Sequence, residues 1–242
     1  MKIKTVLSSL ILMLILGGCA AASSDTAGMF SDTSSGVAAS GTVAKNTNTT
    51  AAADTVSTKP LHIAMATDLH YQPEVSDAAS SLIPQMKYIS QLTDCLLEEV
   101  VGRQPDVLLL CGDLTNNGLR NEHEALIKKL DLAKSQGTRI LVIPGNHDLK
   151  GVSQEEFAKL YADYGYATPL MRDTASLSYV APLTDSFWLL MLDTNISNTY
   201  GGVSDDTLSW VQHVLEQADE AGAVIVTSSH HNLLGHSSPQ YN

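Results

Sequence analysis

Residues 140–148 read Ile-Leu-Val-Ile-Pro-Gly-Asn-His-Asp. Four apolar residues, three of them β-branched, fit a short strand buried on both faces. The strand then runs into an amide, an imidazole and a carboxylate packed side by side. A plain turn needs only the Pro-Gly pair. Average residue usage gives Gly-Asn-His-Asp in on the order of one chain per thousand of this length, so the cluster outweighs a chance turn and points to a metal ion.

The runs 61–67, 107–110 and 223–227 have the same short, apolar, β-branched character. Each also ends in ligand-type residues: Asp68-Leu69-His70 after the first, Gly112-Asp113 after the second, His230-His231 after the last. Between the runs lie helical spacings. Met86, Ile89, Leu92, Leu96 and Val100 share one face, as do Leu126, Ile127, Leu130 and Ala133. A third helix, starting near Ser204-Asp205-Asp206, spaces Leu208, Val211, Leu215 and Ala218. Segments 176–180 and 187–192, separated by a Pro-containing turn, predict an antiparallel pair. Strand alternating with helix predicts an α/β protein with a largely parallel core sheet. Such sheets place their sites at the C-terminal ends of the strands.

The donor set has a definite chemistry. Carboxylate, imidazole and amide oxygen together suit first-row divalent cations, and manganese, iron, zinc and nickel all accept them. One aspartate can bridge two cations, and two cations about 3.5–4 Å apart clamp both oxygens of a phosphoryl displacement. Water between them loses a proton near neutral pH and becomes the nucleophile. Asp-x-His or Gly-Asp alone would carry no weight, and a histidine at a strand end is more often packed or capping. All four motifs appearing in order at strand ends is what points to a metal site.

Asp68-x-His70, Gly112-Asp113, Gly145-Asn146-His147-Asp148 and His230 resemble the motifs of the calcineurin-like metallophosphoesterases. The resemblance runs from Leu61 to the end of the chain. It implies a four-layer α/β/β/α sandwich around a dinuclear centre. By that resemblance Asp68 and His70 bind one metal, Asp113 bridges both, and Asn146 and His230 bind the other. His147 is implied as the catalytic residue, stabilising phosphate charge and protonating the leaving oxygen. Asp148 is implied as an orienting residue behind the ligands. Neighbours on an extended chain point to opposite sides, so one of His230 and His231 faces the metals. The family places the ligand first, and His231 stays a candidate.

Two departures from the family pattern bear on function. Protein phosphatases of the family continue the second motif as Gly-Asp-x-x-Asp-Arg-Gly, whereas here Asn116-Asn117-Gly118 follow. That points to small-molecule esters, with phosphodiesters weakly favoured over monoesters. The family's closing Gly-His-x-His is also absent. Gly235-His236-Ser237-Ser238 matches superficially but follows His230 too closely, which leaves His236 in a substrate-facing or surface loop. The expectation is a sandwich incomplete at its C-terminus, from a truncated reading of a longer protein. Poor metal binding and inactivity are what that gap implies.

Composition and the N-terminus set the surroundings. Net charge is −12, with 26 acidic against 14 basic residues. No basic cluster offers a footprint for a nucleic-acid duplex. Lys2 and Lys4 precede an apolar run of about eleven residues, short of the ~20 that span a bilayer. Leu16-Gly17-Gly18-Cys19 then resembles a lipobox. Residues 1–19 therefore read as a lipoprotein signal with lipidation at Cys19, and the protein as exported and anchored to the cell envelope. Residues 20–59, nearly all small or polar, predict a disordered linker reaching roughly 35 Å. Residues 60–242 predict the metallophosphoesterase domain, with Cys95 and Cys111 as buried apolar thiols. The function expected is hydrolysis of a small phosphate ester with two divalent metals. The alternative is a non-catalytic, lipid-anchored surface protein that keeps the scaffold as a binding module.

Overall fold

The computed structural model describes residues 60–75, 84–196 and 201–233. The signal, Cys19, the linker and His236 lie outside these. β1 (Ile63–Ala66), β2 (Val107–Cys111) and β3 (Ile140–Ile143) form a parallel sheet in that order. Leu108 stands opposite both Ala64 and Ile140. α1 (Ile89–Arg103) and α2 (Arg120–Ser135) make the crossovers and pack on each other. α3 (Gln154–Leu160) then leads to a second sheet of β4 (Met171–Arg172), β5 (Tyr179–Thr184), β6 (Phe187–Leu192) and β7 (Val224–Ser229). β4–β5 and β5–β6 pair antiparallel, and β6–β7 pair parallel. α4 (Asp205–Ala221) is the crossover between β6 and β7.

The side-chain pattern explains the layers. β2 is buried along its whole length, and each leucine hidden there contributes about 1.5–3 kcal/mol of transfer energy. In the second sheet the pleat sorts residues by parity. Tyr179, Ala181, Leu189 and Met191 join the core shared with the first sheet, whereas Val180, Trp188 and Leu190 pack with Val214 and Ala218 of α4. The Tyr179 hydroxyl crosses between the sheets and donates to the Val142 carbonyl at 2.8 Å. The result is a four-layer α/β/β/α sandwich, as the motifs implied. Among the described residues no helix is long and apolar enough to cross a membrane.

Four sequence expectations need correction. In α4, Leu208 and Leu215 lie outside at 50% and 51% exposure, and the buried stripe is Thr207, Val214 and Ala218. Hydrophobicity alone misled there, because Thr207 is drawn in by a hydrogen bond to buried Asp173. In α1, Leu92 is likewise exposed while Thr93 and Leu97 are buried. The antiparallel pair is right, but the proline of the expected turn, Pro182, lies within β5, where the register shifts between Pro182 and Thr184. An irregularity of this kind accommodates a residue that has no N–H for the ladder. Finally, Cys111 is buried but Cys95 only half-buried.

Candidate metal centre

Each strand of the first sheet ends by turning sharply towards one point. Gly112 leaves β2 with φ +87°, and a Cβ there would lie 2.6–2.7 Å from the His230 ring. Gly145 passes so close to Asp113 that a Cβ would fall on its backbone nitrogen and Oδ1. These approaches are why both turns carry glycine. Asp68, His70 and Asp113 themselves adopt left-handed backbone, with φ of 57°, 44° and 49°. Hydrogen bonds hold them there: Asp68 N–H to the Gly112 carbonyl at 3.0 Å and His70 N–H to the Asp113 carbonyl at 2.9 Å. Left-handed non-glycine residues cluster at functional sites, where surrounding structure over-determines them.

Asp113 is the hub. His70 Nε2 stands 3.6 Å from its Oδ2, and His230 Nε2 stands 3.5 Å from its Oδ1. His70 Nε2 is also 3.6 Å from Asp68 Oδ1. Donor atoms of Asp68, Asp113 and His230 all lie within 4.8 Å of one another, as do those of His70, Asp113 and His147. The backbone N–H of His147 donates to Asp113 Oδ1 at 2.8 Å. Its ring sits edge-on to His70 at 4.6 Å, with Nδ1 against the Asn116 carbonyl at 2.5 Å.

These residues fit a divalent cation. Separations of 3.5–3.6 Å are too long for good hydrogen bonds, whose N···O distances run to about 3.2 Å. They lie near the edges of a coordination polyhedron, since ligands about 2.1 Å from one ion stand roughly 3.0–3.4 Å apart. His230 is also prepared as a ligand: its Nδ1 faces the Cys111 carbonyl at 3.0 Å, so Nδ1 carries the proton and Nε2 keeps its lone pair. The charges agree. Burial would raise the Asp113 carboxyl, but His230, the His147 N–H and nearby imidazoles bring it down to about 2. His70 holds Asp68 below its usual value, and Asp68 in turn raises His70. Burial pulls the His230 ring down, but Asp113 leaves it raised.

The structure also places the remaining expected residues. Asn146 is exposed beside the cluster and lines a cavity of about 670 Å³. His231 turns away from Asp113, with Nδ1 2.9 Å from Thr194 Oγ1, and lines the same cavity. Burial and the neighbouring His230 lower its pKa. Asp148 is buried behind the turns. Its carboxylate accepts backbone N–H groups from Gly145, Leu114 and Thr115 and the Thr115 hydroxyl, and burial raises it to about 6.

Several further residues, outside the sequence motifs, surround the cluster. His123, fully buried on α2, bridges the Asp148 carbonyl at 3.0 Å and the Tyr161 hydroxyl at 2.9 Å. Nothing in its helical context marked it. Asp193, Thr194 and Asn195 follow β6, and the Asn195 amide ties Asp193 Oδ1 (2.8 Å) to the Pro144 carbonyl (3.0 Å). Their signal was present, because the 187–192 run also ends in polar residues.

Fold and cluster together define a two-sheet sandwich with a candidate metal centre at its strand ends. The family model for calcineurin-like phosphoesterases matches residues 61–241. The chain belongs to that family, whose members are metal-dependent phosphoric ester hydrolases. It is 28% identical over 134 residues to a protein of Arcobacter nitrofigilis described as a probable glycerophosphodiester phosphodiesterase, GpdQ. That match covers 52% of this chain and 42% of the relative, so the chain matches less than half the length of this curated protein. A solved dimetal phosphatase from Danio rerio shares the fold, with a TM-score of 0.52 at 12% identity over 70% of this chain and 69% of that one.

Proposed function

We propose that the protein hydrolyses small phosphodiesters, in preference to monoesters, with two divalent cations, and that it is exported and works at the cell envelope, beyond the cytoplasmic membrane, anchored by a lipid at Cys19. The observation that carries the reaction is Asp113, whose two carboxylate oxygens face His70 on one side and His230 on the other. Asp68, His70 and Asp113 would hold one cation, and Asp113, Asn146 and His230 the other. When bound, such a pair supplies Lewis acidity and lowers the pKa of water between the ions. His147 stands over the cluster, oriented by its bond to the Asn116 carbonyl, so that its Nε2 can meet the ester oxygens. The diester preference is supported by the relative's description and by the roomy cavity beside Asn146, which offers space for a second alcohol. Export is supported by Lys2, Lys4, the apolar run and Leu16-Gly17-Gly18-Cys19.

The test loads the protein with manganese, iron, zinc or nickel, counts bound metal, and compares bis(p-nitrophenyl) phosphate with the monoester. Two metals and faster diester turnover are expected. In Asp113→Asn, turnover should fall by more than about 100-fold, the upper range for losing a residue merely behind the ligands. Retained turnover in that variant would sink the dinuclear reading. Metal binding without turnover of either ester would favour a binding module instead. Labelling with a radioactive fatty acid, lost in Cys19→Ser, tests the anchor.

A further inference from the structure

Most hydroxyls on the wall of the large cavity already have work within the fold. Ser153 and Ser204 cap α3 and α4. Ser176 and Thr207 donate to Asp173 at 2.6 and 2.7 Å. His231 differs. Its backbone N–H donates to Thr194 Oγ1 at 3.2 Å, and its ring Nδ1 lies 2.9 Å from the same oxygen. Thr194 is fully buried, and among the described residues this Nδ1 is the acceptor its hydroxyl hydrogen can reach. Nδ1 is therefore the acceptor, and the ring proton sits on Nε2.

The rest of the ring is closed in. Gly201, at φ +90°, packs so tightly on Cβ, Cγ and Nδ1 that any side chain there would collide with them. The His230 ring lies against it at 4.8 Å. What remains for the cavity is the Nε2–H edge, which has no hydrogen-bond partner among the described residues. A fixed donor on the wall of the cavity thus stands beside the candidate metal centre, in the same cavity that Asn146 lines.

We propose that His231 is a specificity-determining residue whose Nε2–H donates to an oxygen of the substrate's alcohol, selecting polar, oxygen-bearing alcohols over alkyl ones. The inference rests on the phosphoesterase reading for its substrate but not on which cations are bound. A donor on a pinned ring favours an oxygen acceptor because an alkyl chain would strip water from the N–H and return nothing.

The test uses mixed diesters of equal size, p-nitrophenyl 3-hydroxypropyl phosphate and p-nitrophenyl butyl phosphate, with the metal-loaded protein. Calorimetry alongside measures binding of 3-hydroxypropyl phosphate and butyl phosphate. One neutral hydrogen bond predicts a preference of about three- to tenfold for the hydroxylated member in kcat/KM and in affinity. The preference should vanish in His231→Phe and persist in His231→Gln, whose amide can still donate. No preference in the unaltered protein, or one that survives His231→Phe, overturns the proposal. If no ester is cleaved but the binding preference follows this pattern, the phosphoesterase reading fails while the subsite stands.

Discussion

Asp148 and Thr115, 33 positions apart, are joined twice: Asp148 Oδ1 accepts the Thr115 backbone N–H at 2.8 Å and its hydroxyl at 2.9 Å. The other carboxylate oxygen accepts the N–H groups of Gly145 and Leu114. One buried side chain thus fastens the turn carrying Asp113 to the turn carrying Asn146 and His147. Replacing it by alanine strands three buried N–H groups, each costing about 1–3 kcal/mol. Asp148→Ala should therefore lose roughly 3–5 kcal/mol of unfolding free energy by denaturant titration. Thr115→Val, which removes one of the four donors, should lose about 1 kcal/mol. A loss below that for Asp148→Ala would show that water replaces the carboxylate.

Gly145→Ala should abolish metal binding, because the new Cβ falls on the Asp113 backbone nitrogen and Oδ1. Gly102, inside α1, has open space around its would-be Cβ. Gly102→Ala should instead raise stability by about 0.5–1 kcal/mol and leave metal content unchanged. Metal analysis and thermal melts on the two variants check the contrast.

The donor residues span positions 68 to 230 and meet only when both sheets are formed. A cation should therefore bind the folded chain far better than the unfolded one. At a free concentration a hundred times its Kd it should add about 2.7 kcal/mol of stability. A melting temperature unmoved by manganese or zinc, and by subsequent chelator, would count against the centre.

Asp193 supplies a pH signature away from the ligands. It is buried among the N–H groups of Leu177 and Asn195, and burial raises its pKa. A carboxyl whose folded pKa lies above its unfolded value holds its proton more tightly in the native state. Its contribution to stability is then greatest at acid pH and declines as pH rises through the carboxylate range. Denaturant titrations from about pH 4 to 7 should show this decline in the unaltered protein and a flatter profile in Asp193→Asn.

The parts of the sandwich legible in the sequence were those where local pattern and burial agree. β3 and β6 fall where the apolar runs lie, because strands buried on both faces leave no polar residue to blur their ends. The cluster was legible because Asp68, His70, Asp113 and His230 each come within a few residues of an apolar run's end. β1 and β7, expected to be buried on both faces, nevertheless leave Met65 and Val224 exposed, since only β2 and β3 are covered throughout. Leu208 and Leu215 misled because the face that α4 buries is chosen by its partners, Trp188 and Leu190 on β6, rather than by its own most apolar stripe. α3 escaped because seven residues with Phe157 and Ala158 buried give too short a period to read. His123 and Thr194 escaped because their partners are distant in the chain: His123 meets Asp148 across 25 positions and Thr194 meets His231 across 37.

The left-handed backbone at Asp68, His70 and Asp113 has an evolutionary corollary. Aspartate, asparagine and histidine are the non-glycine residues that best tolerate this conformation, and they are also good ligands for first-row cations. A β-branched replacement at any of the three would be rejected by the main chain before the metal was involved. Mutational tolerance there accordingly merges two selective pressures into one signal. Asp68→Asn separates them: the backbone keeps a residue it accepts, and only the charge offered to the cation is withdrawn.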